Sequence, residues 1–171
     1  MRLFFALWPD SSTQLQWHQE LAPWLARLGG RRIPAEKLHL TLAFLGEVAG
    51  DGVNRLMALG DDLDHSAIAL RFPQIECWRQ SGVACLRPSE TPAALTRLAG
   101  QLQTGLQLAG FRHESRRFKP HVTLARDIAV VGPALPVWPV LEWQAPAIVL
   151  VRSRLMPEGS DYAVLSSWPL G

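Results

Sequence analysis

The chain has 171 residues, 48% of them hydrophobic and 19% charged, a balance that excludes disorder and fits one domain or two small lobes sharing an interface. Its formal net charge is only +2, which excludes a general nucleic-acid coat, although the basic side chains are nearly all arginine, 15 against 2 lysines. No run approaches the roughly 20 apolar residues of a membrane span, and residues 3–8 are too short an apolar stretch for a secretory leader.

The expected setting is therefore cytoplasmic and reducing. Cys77 and Cys85 have no Cys-x-x-Cys partner, so neither a disulfide framework nor structural zinc is expected, and both thiols are predicted to be buried as small apolar groups.

In chain order, residues 2–8 read as a buried strand closed by Pro9. Asp10, Ser11 or Ser12 can cap a helix whose apolar positions are Leu15, Leu21, Trp24, Leu25 and Leu28; Pro23 predicts a kink or break, and Gly29-Gly30 a stop. Residues 38–45 form a strand ended by Gly46. Residues 51–64 carry Val53, Leu56, Met57, Leu59 and Leu63 at helical spacing, weakened by Gly60. Residues 68–78 and 83–87 read as two strands joined by a turn at Gln80-Ser81-Gly82. A long helix follows, with Pro92 in its first turn, the stripe Leu95, Leu98, Leu102, Leu106 and Ala109, and Gly110 at its end. Residues 119–126 form another strand, 132–146 a proline-rich passage, and 148–155 with 162–168 a final antiparallel pair. Strand, helix, strand recurs in each half, which points to two similar lobes related by a pseudo-twofold axis. Single helices between strands, with hairpins elsewhere, give an α+β fold rather than a doubly wound parallel sheet.

Two segments echo one another: His39-Leu-Thr-Leu-Ala43 and His121-Val-Thr-Leu-Ala125. Alternation along a strand puts His and Thr at i and i+2 on one face and the residue between them in the core. If the two strands face each other, two imidazoles and two hydroxyls enter one cleft from opposite sides. In-line displacement at a phosphodiester needs a base at the attacking oxygen and an acid at the leaving oxygen, and histidine serves either role near neutral pH. Thr41 and Thr123 can donate to the non-bridging oxygens. Arg126 shares their face only loosely but can reach from the strand end to neutralise phosphate.

A single His-x-Thr is ordinarily a half-buried, hydrogen-bonded histidine. Two copies with the same continuation are hard to dismiss so simply. Two histidines without a carboxylate or thiolate supply too few ligands for a metal, so no metal and no cofactor is expected. His18, His65 and His113 lack any such context and read as surface residues. The arginine groups at Arg31-Arg32, Arg116-Arg117-Phe118-Lys119 and Arg152-Ser153-Arg154 are ordinarily solvated surface, although the second directly precedes a His-Thr strand. Phe44 and Phe118 are expected in packing roles.

The longer strings Leu38-His-Leu-Thr-Leu-Ala-Phe-Leu-Gly-Glu47 and Phe118-Lys-Pro-His-Val-Thr-Leu-Ala-Arg126 resemble the paired motifs of the 2H phosphoesterases, most closely the RNA 2′,3′-cyclic phosphodiesterases also called 2′-5′ RNA ligases. Arg2-Leu-Phe-Phe-Ala6 and the Ser153…Gly159…Tyr162…Trp168 ending also fit, so the resemblance spans nearly the whole chain. It implies a bilobal α+β domain over residues 1–171 with the His-Thr strands lining a central groove. It also implies metal-independent hydrolysis of a terminal 2′,3′-cyclic phosphate to a 2′-phosphate. His39 would protonate the leaving 3′ oxygen, His121 would activate water, and Thr41 and Thr123 would hold the phosphate. Reversible 2′-5′ ligation, with the pair exchanging roles, is a further implied activity. The expected partner is an RNA 2′,3′-cyclic phosphate end, tRNA halves among them, bound by a monomer. The alternatives are a small cyclic nucleotide derivative such as an ADP-ribose cyclic phosphate, or a non-catalytic RNA-end-binding module.

Overall fold

The computed structural model describes residues 1–112, 114, 117–129, 132–157 and 159–171. Arg2–Leu7 (β1) leads into two helices, Ser11–Glu20 (α1) and Ala22–Leu28 (α2). The Asp10 carboxylate accepts from the Thr13 N–H at 2.8 Å, capping α1, and Pro23 sits where a new helix begins, so the helix breaks at Leu21. The short strand Arg31–Arg32 (β2) and a 3-10 turn at Ala35–Lys37 lead to Leu40–Glu47 (β3) and Gly52–Asp61 (α3). Then come Ala69–Trp78 (β4), Val83–Arg87 (β5), Ala93–Leu108 (α4), Val122–Arg126 (β6), Leu135–Gln144 (β7), Ala147–Met156 (β8) and Gly159–Pro169 (β9).

The fold is α+β, with an antiparallel sheet in the order β7-β4-β5-β6-β3-β1-β8-β9 and β2 paired to β6. β6 and β3 meet at a single recorded pair, Leu40 with Val122, and on either side of that seam stand four strands in corresponding order. Thus β1–helices–β3 and β5–α4–β6 occupy equivalent places. The helices cross the seam: α1 lays Trp17 edge-on against Phe72 of β4 and Trp143 of β7, at 5.7 and 5.3 Å between centroids, while α4 packs on α3 and β3. Each half therefore carries the other half's helix, and one hydrophobic core runs beneath both.

Several predicted details change. Within α1 the buried residues are Gln14 and Trp17, while Leu15 is 52% exposed. Gln14 is satisfied by donating to the carbonyls of Glu36 and Leu38, which ties α1 to the residue before His39. The proline-rich passage contains β7. It lies at the sheet's end, where Pro136 and Pro139 remove donors that an edge strand can spare. Arg31-Arg32 forms a strand opposite Arg126 and Ala125, with Arg31 exposed as expected and Arg32 half-buried. A Cβ at Gly30, whose φ is +80°, would overlap the backbone of Arg126 and Asp127, so this glycine sets that approach as well as ending a helix. Cys85 is buried as predicted but Cys77 only half-buried, and burial pushes the Cys85 thiol up to about 12. His65 is half-buried, its Nε2 2.9 Å from the Gly60 carbonyl, and His18 is half-buried too; His113 and Arg116 lie outside the described residues.

Gly60, read from sequence as a weakness in α3, lies under the indole of Trp168, whose Nε1 donates to Asp61 at 2.7 Å. A Cβ there would overlap the ring. Gly60→Ala is expected to destabilise the protein by about 1–3 kcal/mol through overpacking, against the roughly 1 kcal/mol that alanine gains in a helix. Gly100→Ala, at an α4 position with nothing within 4 Å, should instead stabilise. Urea unfolding of the two variants checks both signs.

Candidate active site

β3 buries Leu40 and Leu42, and β6 buries Val122 and Leu124, in the main core; His39, Thr41, His121 and Thr123 therefore stand on the opposite face. The two strands do not oppose each other across a gap, as the sequence suggested. They are neighbours in one sheet, and the antiparallel pair Leu40–Val122 places Thr41 toward His121 and His39 toward Thr123. All four side chains, with Arg126, line one cleft of about 290 Å³.

Each histidine precedes its strand and is held by its own backbone. His39 Nδ1 is 2.7 Å from the Lys37 carbonyl, and His121 Nδ1 is 2.7 Å from the Lys119 carbonyl. A carbonyl only accepts, so each Nδ1 carries the proton, and in the neutral ring Nε2 is left with a free lone pair. Lys37 and Lys119 are the chain's two lysines, and each stands two residues before a motif histidine. That spacing was the available signal for these supports, and it went unread.

Arg126 reaches the cleft by a specific device. The pairing of β5 with β6 steps from Cys85–Thr123 to Ala84–Ala125, so Leu124 is an extra residue on β6. Leu124 and Ala125 are both buried, and residue 126 returns to the cleft face. The same step occurs on β3, where Ala6–Thr41 is followed by Phe5–Ala43 and Leu42 is extra. Phe44 thereby becomes a cleft residue equivalent in place to Arg126, with the Arg2 guanidinium 5.5 Å from its ring centroid. The shared Thr-Leu-Ala continuation thus coincides with a pair of β-bulges. The expected packing role of Phe44 gives way to a position in the cleft wall.

The aromatic surroundings are unequal. His39 is enclosed by Trp8, stacked at 5.0 Å and 5°, by Phe4 at 5.1 Å and by Tyr162 edge-on at 5.5 Å. Phe4 and Ala6 of β1 pack with Val149 and Val151 of β8 as a small apolar cluster beneath them. Among the described residues His121 has one such neighbour, Trp78 at 4.6 Å, whose indole N–H donates to Glu76, itself paired with Arg87 at 3.5 Å. Arg2, Ile33, Lys37, Ser153, Ser160 and Tyr162 complete the lining. None of these belonged to the predicted site, because they come from chain segments that only the sheet order brings together.

Burial pushes the His39 imidazole down to about 4, against the Lys37 hydrogen bond and with help from the His121 and Arg126 charges. His121 also lies below the ordinary value of 6.5, through burial and the nearby Arg87 and Arg126 charges, opposed by the Lys119 carbonyl and Glu114. Among the described residues neither the Thr41 nor the Thr123 hydroxyl has a hydrogen-bond partner, so both are available to a ligand. The arrangement offers two neutral Nε2 atoms, two hydroxyl donors and one guanidinium around a small cavity. That is equipment for proton transfer at a bound oxyanion.

The chain belongs to the 2′-5′ RNA ligase superfamily, whose profile matches residues 9–154. It is 30% identical to the RNA 2′,3′-cyclic phosphodiesterase of Escherichia coli, with 99% of this chain and 96% of that one covered. Identity to the protein of the same name in Thermus thermophilus is 33%, over 99% of this chain and 90% of that one. Among solved structures, E. coli LigT complexed with 3′-AMP matches with a TM-score of 0.88 at 30% identity, over 99% of this chain and 97% of that one.

Proposed function

We propose that this chain is a metal-independent phosphodiesterase that opens the 2′,3′-cyclic phosphate at an RNA end, acting as one domain of two pseudo-symmetric halves. The observation that carries the reading is the pair of imidazoles with Nδ1 tied to backbone and Nε2 free beside two unpartnered threonine hydroxyls. Water attacks phosphorus and gives its proton to His121 Nε2. The P–O3′ bond breaks, and O3′ takes the proton of His39 Nε2, leaving a 2′-phosphomonoester and a 3′-hydroxyl. Thr41, Thr123 and Arg126 hold the non-bridging oxygens, where charge grows. With the 5′-hydroxyl of a second RNA, such as the other half of a cleaved tRNA, in place of water, the same displacement forms a 2′-5′ link. Its reversal exchanges the histidine roles.

Charge acts on both rings. A bound phosphate monoanion favours protonation of either histidine. Trp8, parallel to His39, adds cation–π stabilisation to an imidazolium. Arg126 opposes a charge on both rings; at His121 Arg87 also opposes one and Glu114 favours it. Burial costs a charge most at His39, so the division of roles, with His39 bringing the proton and His121 receiving it, rests on the resemblance to the 2H phosphoesterases.

The test is turnover of an oligonucleotide ending in 2′,3′-cyclic phosphate in the presence of EDTA, with the product identified by phosphorus NMR. A 2′-phosphate formed at undiminished rate is expected; loss of activity in EDTA, or a 3′-phosphate product, would contradict the reading. The same assay run across pH gives a second expected outcome. The free protein must hold a proton on His39, which leaves as pH rises through about 4, and none on His121, which gains one as pH falls through a value below 6.5. kcat/KM should therefore peak on the acid side of 6.5, between the two histidine values, and decline towards pH 8. A maximum above pH 7 would be incompatible with these protonation states.

A further inference from the structure

The catalytic cleft does not end at Phe44 and Arg126. Through Thr41, Phe44, His121, Thr123 and Arg126 it continues into a larger groove of about 1000 Å³. Its lining includes Trp78 at the end of β4, Arg79 and Gln80 in the turn that follows, Arg117 and Phe118 before His121, and Gln103 of α4. The groove gathers cations at Arg79, Arg117, Lys119 and Arg126 against the carboxylate of Glu114. Among the described residues no ion pair engages any of these four cations. Elsewhere arginines do find carboxylates, as Arg71 does with Glu142 at 3.2 Å and Arg97 with Asp64 at 3.2 Å. A set of unneutralised cations interleaved with the rings of Trp78 and Phe118 and with side-chain amides suits a ligand that alternates phosphates with flat bases.

We propose that this groove binds the 5′-ward nucleotides of the RNA strand whose cyclic phosphate lies between the histidines, making the protein an enzyme of single-stranded oligonucleotide ends rather than of mononucleotides. The inference rests on the cyclic phosphodiesterase reading. Both hydroxyl positions of the terminal ribose are taken up by the cyclic phosphate, so its remaining chain connection is the 5′ oxygen. Whatever fills a groove continuous with the cleft, while attached to the substrate, is therefore the preceding part of the same strand. Arg79 and Arg117 line the groove and not the smaller cleft that holds both histidines, so they serve the strand and not the reacting phosphate. Trp78 has two duties, since one part of it meets His121 and its indole N–H is fixed by Glu76.

The experiment compares a mononucleoside 2′,3′-cyclic phosphate with a single-stranded tetranucleotide carrying the same end, for the wild-type protein, the double variant Arg79→Ala/Arg117→Ala and the control Arg71→Ala. The wild type is expected to prefer the tetranucleotide in kcat/KM, with a preference that shrinks as salt rises. The double variant should lose about tenfold or more of that preference, chiefly through KM, and Arg71→Ala should keep it. Equal losses on both substrates, or no length preference in the wild type, would overturn the groove assignment while leaving the cyclic phosphodiesterase reading intact. Failure of the wild type to open either substrate would instead remove that reading. Binding of a tetranucleotide ending in a 2′-phosphate, weakened by the double variant or not, would then decide for or against the groove by itself.

Discussion

Replacing His121 with alanine is expected to lower kcat on a 2′,3′-cyclic phosphate by about 10²–10⁴-fold, and His39→Ala by a similar factor, because each removes one positioned proton transfer. The two losses separate when the leaving group changes. A phosphodiester with an activated leaving group such as p-nitrophenolate departs without a proton, so it has no need of a general acid. On such a substrate His39→Ala should recover most of its activity relative to wild type, whereas His121→Ala should stay impaired, since water still requires a base. Recovery in the His121 variant instead would reverse the roles of acid and base. Near-wild-type turnover of the cyclic phosphate by either variant would end the two-histidine mechanism altogether. The folded state is a sound reference for both substitutions: each ring lies on the cleft face, outside the main core.

Thr41→Val and Thr123→Val should each reduce kcat by about 10²–10³-fold, the usual effect of deleting a hydrogen-bond donor aimed at an oxyanion. Valine keeps the branched shape, and neither hydroxyl has a hydrogen-bond partner among the described residues, so the fold loses nothing that the hydroxyl supported. The loss should fall on kcat more than on KM, because the non-bridging oxygens gain charge as the water oxygen adds. Serine at either position should restore most of the rate. Variants that raised KM alone would mark the threonines as ground-state binders. The measurement is full saturation kinetics on a nucleoside 2′,3′-cyclic phosphate, with far-UV circular dichroism to verify folding.

Strand alternation made the centre of the site legible before any coordinates: it placed His39, Thr41, His121 and Thr123 on a common face, and the recurrence of strand, helix, strand matched the order about the seam. What it could not give was adjacency between distant segments. Trp8, Phe4 and Tyr162 enclose His39 because β1 pairs with β3 on one side and β8 on the other, and pairing partners are not written in the local pattern. β7 was hidden for a different reason, since its prolines argue against a strand unless its place at the edge is known. The Leu15–Trp17 exchange in α1 reflects a helix that is short and weakly amphipathic, where a single indole packed between Phe72 and Trp143 sets the rotation. Arg126 was read as a loose neighbour because strict alternation turns a residue three past Thr123 away from the cleft.

The paired bulges at Leu42 and Leu124 have a consequence for how such a site can change under insertion and deletion. In a regular strand, losing one residue flips every side chain beyond it, and here that flip is already part of the native pattern. Removing Leu124 would leave His121 and Thr123 in place, restore plain alternation, and keep the guanidinium of residue 126 on the cleft face, because Ala125 alone would then fill the core position between it and Thr123. Removing Leu42 would likewise keep Phe44 beside Thr41 and spare His39. The two motif histidines and the two wall residues, one aromatic and one cationic, are therefore all insensitive to loss of a bulge residue. A lineage carrying this sheet can shed either bulge by a single-codon deletion and keep the whole cleft face, whereas the same deletion in a regular stretch of these strands would turn every later cleft residue into the core.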